Sequence, residues 1–94
     1  MKAQRFVSVW DAIESDRVEA ANMKLRAQLM QAISEAVGRW EGTQAAAAKR
    51  LGLTQPRMND LLRGRIEKFS LDALMNIADK AGLKVRMAVS RKAA

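Results

Sequence analysis

Val18, Ala21, Leu25, Leu29, Ile33 and Val37 recur three and four residues apart, placing one apolar stripe on a helix from about Arg17 to Val37. Asp16-x-x-Glu19 supplies its start, because the aspartate can accept backbone N–H bonds that a first helical turn leaves unmade. Arg39-Trp40-Glu41-Gly42 breaks the pattern. Upstream, Ser8-x-x-Asp11 predicts a short turn through Ile13, with Trp10 as its largest apolar group.

A second, shorter helix opens with Thr43 as N-cap and runs through Leu51 to Gly52, where the chain needs a left-handed residue. Thr54 caps a third helix that continues to Gly64. Pro56 fits its first turn, where a backbone N–H would have no intrahelical acceptor to lose. A basic loop, Arg65 to Lys68, leads to Ser70, the N-cap of a fourth helix. Leu71, Leu74, Ile77, Ala78 and Ala81 form that helix's buried stripe, Phe69 and Leu74 can close over the cap, and Gly82 ends it.

The period then changes from helical to alternating. Leu83, Val85, Met87 and Val89 interleave with Lys84, Arg86, Ala88 and Ser90, the pattern of a strand with one apolar face. A lone strand leaves its backbone unpaired, so a partner is expected. Either Arg5–Val9 or the same strand of a second chain would serve, and the second chain is preferred because it creates a two-fold dimer. The expected organisation is an N-terminal segment over 1–15, a helical domain over 16–82, and a C-terminal strand with a basic tail over 83–94.

Composition narrows the chemistry. Among 94 residues there is no Cys and no His, which removes disulfides, thiolate and imidazole nucleophiles and ordinary zinc sites. The serines have no sequence-evident base, and the acids are scattered, so an enzyme is not expected and no cofactor or metal is implied. No apolar run suits a membrane span or a signal peptide, which makes the cytoplasm the expected location. Charge is distributed unevenly: residues 1–47 hold six bases and six acids, and residues 48–94 hold eleven bases and four acids. The whole excess of +7 therefore lies in the second half, as expected of a surface facing a polyanion.

The second and third helices, joined through Leu51-Gly52-Leu53-Thr54, make a helix-turn-helix unit. Thr43-Gln44, Leu51-Gly52, Thr54-Gln55 and the closing Gly64 stand at spacings that resemble the lambda-repressor-like (Xre) family over about residues 17–85. Within it the long first helix, the Thr54-Gln55-Pro56-Arg57 start and the terminal strand look most like HigA-type antitoxins. The resemblance implies a mainly α fold of four to five helices and a sequence-specific repressor in a prokaryotic cytoplasm, associated with the nucleoid. It also implies a cognate toxin, a small mRNA-cleaving nuclease. The apolar piece Phe6–Ile13 is the one spare surface in the sequence for such a partner.

Winding the third helix puts Met58, Leu61 and Leu62 on a core side and Pro56, Asn59, Asp60 and Arg63 opposite, flanked by Gln55 and Arg57. Amides suit adenine, and guanidinium groups suit guanine, in the major groove. Gln55 and Arg57 are thus the expected base readers, with Asn59 third. Asp60 stands three residues from both Arg57 and Arg63 and can orient either side chain, or accept from cytosine N4. The resemblance makes Gln44 a phosphate clamp at a helix start. Arg63, Arg65 and Lys68 would line further phosphates, and Thr43 and Thr54 are helix caps at the same edge. Few base contacts per domain call for two copies on a palindromic operator, dimerised through Leu83, Val85, Met87 and Val89 or through the first helix. Two other readings stay open: a protein-binding module whose DNA contact is secondary, and a basic RNA-binding module. The second is weakened because no aromatic residues interleave with the basic segment.

Overall fold

The computed structural model describes residues 2–92, with side chains from residue 16 onward. Its elements are α1 (Lys2–Gly38), α2 (Gln44–Leu51), α3 (Gln55–Leu62), a single 3₁₀ turn (Ile66–Lys68) and α4 (Leu71–Lys80). Each of the last three helices begins where a short polar side chain can satisfy its first N–H groups. Thr43 accepts from the Ala46 N–H at 3.1 Å, Thr54 from Arg57 at 3.3 Å and Ser70 from Ala73 at 3.1 Å. Proline stands in the first turn of α3, as its missing N–H allows.

These helices close over one core. Ile33 of α1, Leu51 of α2, Met58 and Leu61 of α3, Phe69 and Leu74 of α4 and its approach are sealed from solvent. Each contributes about 1.5–3 kcal/mol relative to exposure. α1 lies along α4 and touches the 3₁₀ turn, and α2 packs on both α3 and α4. No described helix is long and apolar enough to cross a membrane.

Four expectations change. First, the short turn through Ile13 and the helix from Arg17 are parts of one helix, α1, and Asp16 lies inside it. Nothing between Lys2 and Val37 is a Gly or Pro, so no residue there forces a break. The side chains of Ser8, Asp11, Phe6 and Trp10, and with them the Phe6–Ile13 surface, lie outside the described residues.

Second, the predicted stripe of α1 is covered only in its C-terminal half, where Ile33 is buried and Leu29 and Val37 pack against the core. Arg26, Met30 and Ala36 are buried beside them, whereas Val18 and Leu25 are exposed at 66% and 50%. The N-terminal half of α1 therefore leaves an apolar track through Val18 and Leu25, roughly 90° from Arg26 at about 100° per residue, that the domain does not cover.

Third, Leu62 does not join Met58 and Leu61 in the core and is 39% exposed.

Fourth, residues 83–92 have no regular secondary structure, and there is no strand among the described residues. The Leu83 N–H still bonds the Ala78 carbonyl at 2.9 Å, closing the end of α4. Beyond it the alternating segment has nothing to pair with. Arg5–Val9, the intramolecular candidate, is part of α1. The proposed pairing across a dimer is likewise not seen in this single chain.

Candidate nucleic-acid interface

The turn between α2 and α3 rests on Gly52. Its φ of +70° is the left-handed conformation that a Cβ disfavours, and it lets the Gly52 and Leu53 N–H groups turn back onto the Lys49 and Ala48 carbonyls at 3.1 and 2.8 Å. That closure ends α2 and sends the chain into α3 after only three residues. Ala47, Ala48 and Leu51 anchor α2, and Met58 and Leu61 anchor α3, so the outward faces of both helices are fixed relative to the core.

Thr54, Gln55, Asn59 and Arg63 are exposed along that outward face of α3. Thr43 and Gln44 are exposed at the start of α2, and Lys49 and Arg50 at its end. Arg65 and Lys68 are exposed on the following loop. Amide donors therefore stand along α3 at Gln55 and Asn59, with the guanidinium of Arg63 at its C-cap and further basic residues on either side in the chain.

Arg57 departs from this simple picture. Its side chain is half-buried. The guanidinium lies 4.0 Å from the centroid of the Phe69 ring, and Nη1 donates to the Lys68 carbonyl at 2.5 Å. It is folded onto the loop rather than extended from the helix. Asp60 takes neither of the partners its spacing suggests. It accepts instead from Arg65 Nη1 at 3.2 Å, with its side chain only 19% exposed.

Sequence reasoning missed Arg26. At 9% exposure it is the one charged residue in the described core; Nη1 donates to the Ile66 and Phe69 carbonyls at 3.1 and 3.3 Å, and Nη2 pairs with Glu19 at 3.0 Å. These bonds tie the loop carrying Arg65 and Lys68 to α1. A signal existed, since Arg26 falls between Leu25 and the helical repeat Met30–Ile33, but only the tertiary fold shows which track is buried. Trp40 is half-buried and carries Arg50 at 3.8 Å over its ring. The contact places one basic side chain of α2 beside the 38–44 loop.

Residues 14–90 match the family described as the helix-turn-helix domain. A solved XRE family transcriptional regulator superposes with a TM-score of 0.72 at 30% identity, covering 79% of this chain and 83% of that one. No curated protein matches the chain. With a family match spanning most of the sequence and that structural likeness, the chain belongs to the XRE-type helix-turn-helix family.

Proposed function

We propose that this chain is a DNA-binding transcriptional repressor that acts as a dimer on a palindromic operator, and that it is the HigA-type antitoxin of a toxin–antitoxin pair, repressing its own operon. The observation that carries the DNA reading is the division of α3. Met58 and Leu61 are wholly buried, while Gln55, Asn59 and Arg63 stand exposed on a helix that the Gly52 turn projects from the domain. A helix presented in this way fits a major groove with its N-terminal residues at the base edges. The reading is supported by the family membership and by the basic excess of residues 48–94.

In this reading Gln55 and Asn59 bond adenine edges, and Arg57 turns off Phe69 to grip guanine. Asp60 either holds Arg65 or accepts from cytosine. Thr43, Gln44, Thr54, Arg63, Arg65 and Lys68 meet the phosphates and set the register. The N-terminal part of α1 is assigned to the toxin.

The test is binding to the duplex immediately upstream of the chain's own reading frame, against a scrambled duplex, at low and near-physiological salt. A preference that survives added salt supports base readout and autorepression. Equal binding that collapses with salt reduces the interaction to phosphate attraction. In that case the module that binds a partner protein becomes the better reading. The exposed apolar track of α1 favours that alternative, because it offers a protein partner more than it offers DNA.

A further inference from the structure

Five of the eight exposed large apolar side chains among the described residues, Leu25, Met75, Val85, Met87 and Val89, line one groove of about 530 Å³ between α1, α4 and the C-terminal segment. Met87 and Val89 are 85% and 87% exposed. Among the described residues no backbone–backbone hydrogen bond reaches residues 84–92. The segment therefore presents unpaired N–H and C=O groups along an edge, with an apolar face that its own chain covers incompletely.

From this we infer that the occupant is a second copy of this chain, with residues 84–90 of two copies forming an antiparallel two-stranded ribbon in which Met87 lies on the two-fold axis. The inference rests on the dimeric reading above and specifies its interface. Charge and pattern select the register. With Met87 opposite Met87, Val85 faces Val89, Arg86 faces Ala88 and Lys84 faces Ser90, so no like charges are directly opposed. Centring the ribbon on Arg86 would oppose two arginines, and centring it on Val85 would set Lys84 against Arg86. Centring it on Ala88 would set Lys84 against Lys92, and intermediate registers mix apolar with charged residues on both faces.

The geometry closes. An antiparallel ribbon carries its apolar side chains on one face, and a two-fold axis perpendicular to it puts both domains beneath that face. The ribbon then caps both grooves and brings the two exposed α1 tracks, with Val18 and Leu25, toward each other. Lys84 and Arg86, which border the groove in the single chain, turn to the outer face of the ribbon and stay in water. A patch that is its own complement is what an isologous interface requires.

The test uses the absence of cysteine in this chain. Met87→Cys in a glutathione redox buffer is expected to give nearly complete disulfide-linked dimer on a non-reducing gel, since directly opposed Cα atoms are about 4.5–5.5 Å apart. Val85→Cys alone should not link, its two copies being about 14 Å apart along the ribbon. Val85→Cys combined with Val89→Cys should link. A dimer by light scattering whose Met87→Cys variant does not link, or a Val85→Cys variant that links equally well, overturns the register. A monomer at about 100 μM overturns the interface altogether. The same samples are assayed on the upstream duplex. A retained site preference without the link rejects only this interface, whereas lost preference in the wild type rejects the DNA reading.

Discussion

Arg26 and Arg57 hold one turn from two different helices. Arg26, on α1, donates to the carbonyls of Ile66 and Phe69, and Arg57, on α3, donates to the Lys68 carbonyl and covers the Phe69 ring. The loop that offers Arg65 and Lys68 to a polyanion is thus fixed at both its ends and its middle. Its position is coupled to the helix expected to read the bases.

The two arginines should differ in what they contribute to stability. Arg26→Met leaves two carbonyls without their donor in a largely dry place, at about 1–3 kcal/mol for each orphaned group. A loss of about 2–3 kcal/mol is expected. Arg57→Met removes one exposed hydrogen bond and a cation–π contact, together about 1 kcal/mol. Urea unfolding with an unchanged m-value checks the order. Equal losses would mean that Arg26 is not carrying the loop.

On DNA a base reader and a phosphate contact should separate. Gln55→Ala should cost about 1–3 kcal/mol on the preferred duplex and almost nothing on a scrambled one. Arg63→Ala should weaken both duplexes alike and lower the salt slope by about one. Titrations at several salt concentrations separate the two behaviours. A uniform loss from Gln55→Ala would move that residue from the bases to the backbone.

The Gly52 turn gives a third expectation. Gly52→Ala places a Cβ at φ +70°, at a cost of about 1–2 kcal/mol. The added carbon would also come 2.8 Å from Lys80 Nζ, but that is the end of a flexible side chain and can swing away. Adding Lys80→Ala should therefore recover little. Substantial recovery in thermal unfolding would show that crowding, rather than backbone conformation, sets the cost.

The helix-turn-helix unit was legible because its signals are local. Thr43, Thr54 and Ser70 sit where caps must sit, the ring of Pro56 fixes the φ of a first helical turn, and Gly52 takes a left-handed φ without the penalty of a Cβ. α1 was harder. Helical spacing alone could not show that the domain covers Met30 and leaves Leu25 exposed. The contacts of Arg57 with Phe69 and Lys68, and of Arg26 with Ile66 and Phe69, join residues far apart in sequence and leave no periodic trace. Alternation over residues 83–90 revealed which side chains share a face, but a strand also needs an edge to pair with, and one chain does not provide it.

Asp60 allows the sharpest discrimination within the candidate interface. Its pair with Arg65 is partly exposed, the two side chains being 19% and 44% accessible, so a double-mutant cycle with Asp60→Asn and Arg65→Ala should give only about 0.2–1 kcal/mol of coupling. Its effect on binding should be larger and of opposite sign. Asp60→Asn removes a negative charge from a surface facing phosphates and frees Arg65 to reach them. Affinity for any duplex should then rise, with a steeper salt dependence and an unchanged ratio between preferred and scrambled sites. A carboxylate that accepts from cytosine N4 behaves differently: its loss would cost about 1–3 kcal/mol on the preferred site alone. Competition binding with both duplexes distinguishes an acid that positions an arginine from one that reads a base.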